Sequence, residues 1–274
     1  MAVRTSGRVR AEDRDGVMDM AKPQVGIQLY SVRDRSEKDF LGTIADIGAI
    51  GYKNVELAGY YGHTAQEVRQ ALDAAGLNAT SAHVNLTVSE PDAIWENLKT
   101  AVAYYSELGI KRFIVPFYPL GDNPTLADVH KMTDILTEAS KMVRAAGMEF
   151  GYHNHAFEFK PVEGKLVIDH ILERVPADQM FAEFDLGWIK VAGQDPAAYV
   201  KKYAGRLPIV HAKDFKEDGK DTEIGKGSVD WDSALAACEE TGVEYVIIEQ
   251  EQYNVSSLES AKLNYEWFKQ RGWI

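Results

Sequence analysis

The chain carries seven histidines: His63, His83, His130, His153, His155, His170 and His211. All but His130 and His170 fall at the end of a segment that reads as a β-strand, or in the turn just after it. Two carboxylates take the same position, Asp185 closing Met180–Asp185 and Glu249 closing Glu244–Glu249. Side chains alternate along a strand, so parity sorts these residues by face. In Met148–His155 the bulky Met148, Phe150 and Tyr152 share one face, leaving Gly151, His153 and His155 on the other. Asp185 shares its face with Glu183, His211 with Ile209 and Lys213, and Glu249 with Tyr245 and Ile247. Four successive strands therefore bring His153, Asp185, His211 and Glu249 to one place. Two imidazoles and two carboxylates suit Mn2+, Co2+, Fe2+ or Zn2+, with positions left open for a substrate. Each residue alone has a plainer role: a strand-end Asp caps the next helix, and a lone His is a hydrogen-bonded core residue. Their joint arrival is what points to a metal.

The elements that position them alternate regularly from Gln24 onward. Strands are expected at Gln24–Tyr30, Lys53–Ala58, Leu77–Val84, Lys111–Phe117, Met148–His155, Met180–Asp185, Leu207–Lys213 and Glu244–Glu249. Amphipathic helical stretches lie between them, among them Thr64–Ala75, Pro91–Leu108, Thr125–Ala146, Leu166–Arg174, Pro196–Tyr203 and Trp231–Thr241, with a final helix near Ser257–Lys269. Gly51, Gly76, Gly109, Gly147 and Gly242 each stand where a helix must stop before the next strand. Eight strands with intervening helices specify the α/β class and a single (β/α)8 TIM barrel, whose active site lies at the C-terminal ends of the strands. A doubly wound open sheet is the competitor, but neither GxGxxG nor GxxxxGK[ST] occurs in the chain. The polar segment Lys216–Lys226 reads as a loop after the seventh strand, on the active-site face.

Composition narrows the class. Thirty Lys and Arg against 42 Asp and Glu give a net charge of −12, which argues against a nucleic-acid partner. A single cysteine, Cys238, excludes a disulfide framework and reads as core. No apolar run reaches the roughly 20 residues of a membrane span. A soluble cytoplasmic protein is expected, with residues 23–274 as the barrel and 1–22 as a disordered leader, or an upstream start before Met18 or Met20.

From Val25 to Trp273 the chain resembles the sugar isomerase/epimerase group of xylose-isomerase-like barrels, through these motifs: Gly26-Ile-Gln-Leu-Tyr-Ser-Val-Arg33, Asn54-Val-Glu-Leu57, Gly151-Tyr-His-Asn-His155 with Phe157-Glu-Phe159, Asp185-Leu-Gly-Trp188, His211-Ala-Lys-Asp214, Gly225-Lys-Gly227 and Ile248-Glu-Gln-Glu251. The resemblance implies one divalent ion, Mn2+ first and Co2+, Mg2+, Fe2+ or Zn2+ as alternatives, held by Glu, Asp, His and Glu on successive strands. Asp185, His211 and Glu249 match the last three positions, whereas the first is His153, a departure. Trp188 is a second departure, where epimerases often carry a substrate-binding histidine. The implied activity is isomerisation or epimerisation of a small carbohydrate by proton abstraction next to a carbonyl, through an enediolate. The Tyr-His-Asn-His and Phe-Glu-Phe version resembles a subgroup linked with 3-keto-sugar and glycoside breakdown, and with imidazole replacing one glutamate, a 3-keto-glycoside lyase or hydrolase cleaving by β-elimination is the alternative. A DNA-repair endonuclease or a non-catalytic sugar-binding barrel ranks lower. Glu249 and His153 are the expected catalytic pair, with Glu56, His83, Glu183 or Lys213 as the second acid/base; Lys213 could instead hold an oxyanion or a phosphate. Gln28, Tyr30, His83, Asn85, His155 and Trp188 are expected to touch substrate, and Asn154 and His155 to orient the metal shell. A homo-oligomer is compatible with the sequence, and neither a nucleic acid nor a membrane is an expected partner.

Overall fold

The eight expected strands are all present, trimmed at their ends, in a computed structural model that describes residues 22–86 and 93–274. They are β1 Gln24–Gln28, β2 Asn54–Leu57, β3 Asn78–His83, β4 Arg112–Val115, β5 Glu149–His153, β6 Phe181–Asp185, β7 Ile209–Ala212 and β8 Tyr245–Ile248. All pair in parallel with their sequence neighbours, and β8 closes back onto β1. The fold is a single (β/α)8 TIM barrel. The glycines expected to stop helices do so: Gly51, Gly76, Gly109, Gly147 and Gly242 all have positive φ. The helix expected from Pro91 begins at Ile94, and Pro91 and Asp92 lie outside the described residues. Apart from Lys22, so does the expected leader. Among the described residues no helix is long and apolar enough to cross a membrane.

The barrel interior is layered. Ile114, Phe181, Ile209 and Ile247, with Tyr245, form an apolar plug. Gly151 makes room for it, since a Cβ there would fall 2.4 Å from the Phe181 ring. Gly26 does the same beneath Ile247. Above the plug the register sets Gln28 beside Glu56, His153 beside Glu183, and Asp185 beside His211. The interior thus changes from hydrocarbon to ionisable groups within one strand length.

Two chain segments leave the strand direction earlier than sequence suggests. The first strand turns at Gln28, whose side-chain oxygen accepts from Tyr30 N at 2.9 Å and starts the turn Leu29–Val32. The fifth stops at His153 because buried Glu158 accepts both from Tyr152 Oη at 2.7 Å and from His155 N at 2.8 Å, drawing the chain into the turn Phe157–Phe159. The segment expected as a loop over Lys216–Lys226 includes half of a short hairpin, Asp214–Phe215 with Asp221–Thr222. Buried Asp214 organises it, accepting from the backbone N–H groups of Phe215, Gly225, Gly227 and Val229 and from Trp231 Nε1.

Candidate metal centre and active site

At the C-terminal mouth of the barrel the ionisable groups form two tiers that share His153 and His211. In the upper tier His153, Asp185, His211 and Glu249, all buried, offer ligand atoms within 4.8 Å of one another. Asp185 Oδ1 accepts from Trp188 N at 2.8 Å, capping the helix Leu186–Val191. Its Oδ2 is buried and has no hydrogen-bond partner. The capping role and the ligand role therefore coexist, one oxygen each. A carboxylate oxygen stripped of water and left unpaired is costly, and a cation among these four donors would satisfy it.

The lower tier holds the rings. Glu183 Oε2 lies 3.0 Å from His153 Nδ1 and 2.6 Å from His83 Nε2. Glu56 Oε1 lies 2.8 Å from His211 Nε2 and 2.9 Å from His83 Nε2, and it accepts from the Gln28 amide at 2.7 Å. Ser81 Oγ donates to the other Glu56 oxygen. Each of the two ligand imidazoles is thus anchored through one nitrogen by a buried carboxylate, which fixes the ring and presents the opposite nitrogen upward. For His211 that opposite nitrogen, Nδ1, lies 3.2 Å from Glu249 Oε2.

Burial and charge set the protonation pattern. Burial pushes the Asp185 carboxyl up to about 7, and burial holds His153 well below the usual imidazole range. Burial opposes protonation of His211, but the charges of Glu183 and Glu56 outweigh it and raise this ring well above its ordinary value. The same carboxylates act on His83 against burial, bringing it to about 10. For Glu249 burial is overcome by Lys213 and then His211, so its carboxyl sits well below the usual range. Without a cation, protons on His83 and His211 balance much of the negative charge.

The other predicted residues are placed as follows. Lys213 is buried, with Nζ 3.4 Å from Glu249 Oε2, bonded to Glu251, and 5.3 Å from the Trp188 ring centroid. Tyr30, His83, Asn85 and His155 line a cavity of about 470 Å³ that His153 and Glu249 also reach. Gln28 is fully buried and serves Glu56 instead of the cavity. His155 has left the strand before parity can aim it; its ring stacks on Phe157 at 5.7 Å, and its Nδ1 is buried and unpartnered. Burial lowers His155 to about 4. Asn154 accepts from Asp185 N at 3.1 Å, holding the ligand strand in place. Trp188 packs 4.5 Å from Phe215 and 5.7 Å from His155. His63, His130 and His170 stand apart from both tiers. Sequence reasoning missed the roles of Ser81, Glu158, Asp214 and Glu251; the Phe-Glu-Phe and Gly-Lys-Gly motifs were the available signals for Glu158 and Asp214.

Comparison with known proteins agrees with this architecture. The family described as xylose isomerase-like TIM barrel matches residues 44–271. By sequence the chain is similar to an inosose dehydratase of Geobacillus kaustophilus, 24% identical over 192 residues, which is 64% of this chain and 62% of that relative's length. By structure it is similar to a sugar phosphate isomerase/epimerase from Parabacteroides distasonis, with a TM-score of 0.82 and 24% identity, covering 93% of this chain and 100% of that one. It is also similar to an IOLI protein solved with a zinc atom, with a TM-score of 0.71 and 14% identity over 89% of this chain and 95% of that one. At these identities the two structures establish the fold alone.

Proposed function

The chain belongs to the xylose isomerase-like TIM barrel family, and from that premise we propose that it is a divalent-metal isomerase or epimerase of a small carbohydrate, removing the proton next to a carbonyl and passing through an enediolate. The observation that carries this reading is the convergence of His153, Asp185, His211 and Glu249, together with a buried, unpaired Oδ2 on Asp185. When bound, the ion, with Mn2+ as the proposed choice, supplies Lewis acidity for a carbonyl and its neighbouring oxygen. The protein's own groups do the rest. Glu249, at the cavity wall and ionised beside Lys213, takes the proton and returns it. Glu183 and Glu56 keep the two ligand rings oriented. Phe117, Phe157 and Trp188 pack around His155 and fix its ring. The unpartnered His155 Nδ1 is available to a substrate hydroxyl.

A second reading, β-elimination, is favoured by one feature of the upper tier. His153 takes a ligand position that the family pattern gives to a glutamate, so Glu249 is the only carboxylate there besides the helix-capping Asp185. Glu56 and Glu183 are tied to imidazoles below. One base suffices for elimination or for a same-face proton transfer, whereas epimerisation needs a group on each side of the carbon. The name of the Geobacillus relative, a dehydratase, points the same way. Incubating the Mn2+-loaded protein in deuterated water with free ketoses and with 3-keto-glucosides separates the outcomes. Deuterium entering a ketose without loss of any group supports isomerisation, and release of water or of the glycosidic group supports elimination. Absence of both exchange and release with every substrate, in protein that retains the metal, would remove both.

A further inference from the structure

We infer that the substrate of this cavity is an uncharged carbohydrate bearing an apolar ring beside the reacting sugar, and that sugar phosphates are excluded, an inference that rests on the reading of the cavity as a carbohydrate site. The cavity has two unlike halves. One is the polar floor of His83, His153 and Glu249. The other is walled by Ala58, Tyr60, Ala101, Tyr105, Pro116 and Phe117. This second half is rigid and prebuilt: Tyr60 stacks on Tyr104 at 3.9 Å and meets Tyr105 edge-on at 6.3 Å. Tyr104 is pinned by its hydroxyl, which donates to His63 O at 3.1 Å. Phe117 stands edge-on to Phe157 at 5.5 Å yet remains 44% exposed, an apolar ring turned to the opening. A free monosaccharide can offer such a wall only the C–H faces between its hydroxyls. A flat apolar substituent offers more, through buried area and ring packing.

Charge argues against a phosphate. Among the described residues no Lys or Arg lines the cavity, whereas Glu249 and Glu251 do. The two cations at this rim are committed elsewhere. Lys213 is clamped by Glu249 and Glu251. Arg33 donates to Tyr30 O, Glu251 O and Tyr253 Oη at 3.2, 3.0 and 2.9 Å. Residues 87–92, which follow Asn85 and lie outside the described residues, read Thr-Val-Ser-Glu-Pro-Asp and contain no cation in their sequence. A phosphate, nearly doubly charged at neutral pH, needs charge-assisted donors; among the described residues the cavity lining offers it no cationic side chain.

The test is calorimetric titration of the Mn2+-loaded protein, freed of excess ion, with phenyl β-glucoside, methyl β-glucoside and glucose 6-phosphate. The expected order is phenyl glucoside tighter than methyl glucoside by roughly tenfold or more, with glucose 6-phosphate weaker than both. Phe117→Ala, at an exposed position, and Ala101→Phe, which adds bulk to the same chamber lining, are each expected to collapse the phenyl-to-methyl ratio. Glucose 6-phosphate binding as tightly as methyl glucoside overturns the inference. So does a phenyl preference that both variants leave intact. Glucosides that bind without any phenyl preference remove this inference and leave the carbohydrate reading standing, while failure of all three probes to bind removes both.

Discussion

Asp185→Asn separates a metal ligand from a structural aspartate more cleanly than loss of activity can. The substitution keeps a side-chain oxygen for Trp188 N, so the helix cap survives. It removes the buried charge whose second oxygen has no partner. Burial raises the Asp185 carboxyl from 3.8 to about 7. The raised value means that the folded, metal-free protein holds a proton there more tightly than the unfolded chain does. Ionised Asp185 therefore costs nothing below about pH 4, and its cost grows until the pH passes about 7. About three pH units at about 1.4 kcal/mol each give roughly 4 kcal/mol at pH 8. The metal-stripped Asn variant should accordingly melt above the parent at pH 8, by something on the order of 10 °C, and level with it near pH 4. Adding Mn2+ at about a hundred times its dissociation constant should stabilise the parent by about 2.7 kcal/mol and leave the variant unmoved. Thermal unfolding at both pH values, with and without the ion, reads all of this. A variant that melts lower at pH 8, or one that still responds to Mn2+, would refute the assignment of Asp185 as an unpaired ligand.

Glu56→Gln and Glu183→Gln each loosen one ligand ring, so Mn2+ affinity measured by calorimetry should fall by about 10- to 100-fold while the melting curve stays cooperative; unchanged affinity in both would show that the lower tier does not support the metal. Gly151→Ala places a methyl group 2.4 Å from the Phe181 ring, and chemical denaturation should register a loss of about 1–3 kcal/mol. A neutral result there would mean that the apolar plug is not tightly packed. Asp214→Ala leaves four backbone N–H groups and the Trp231 indole without their acceptor. Limited proteolysis should then cut within residues 214–230 in the variant and spare the parent, with a stability loss on the order of 3–5 kcal/mol; equal resistance would show that the hairpin closes without Asp214.

Much of this site was legible in sequence because a barrel strand converts parity into direction. His153, Asp185, His211 and Glu249 each lie within their strands or one residue beyond, and period-two alternation placed them together. Where the chain turns before parity can act, Tyr30 and His155 still line the cavity, but for a different reason. His155 is drawn aside by Glu158, and Tyr30 by the side chain of Gln28, so neither points where a continued strand would send it. Gln28 itself was legible as inward-facing, but not as a partner of Glu56, since a cross-strand hydrogen bond depends on register. Asp214 was harder to read for another reason: apart from Trp231 Nε1, its oxygens accept from backbone N–H groups of a polar loop, whose sequence signal is limited to Gly-Lys-Gly.

The upper tier also has a consequence for how the site would respond to gaining or losing an ion. Protons on His211 and Asp185 occupy the same small volume that a divalent cation would take, and they number as many charges as it brings. Loading would then displace protons from these groups, so that a divalent ion and protons compete for one small volume. A barrel arranged in this way would hold an ion less tightly as the surroundings acidify.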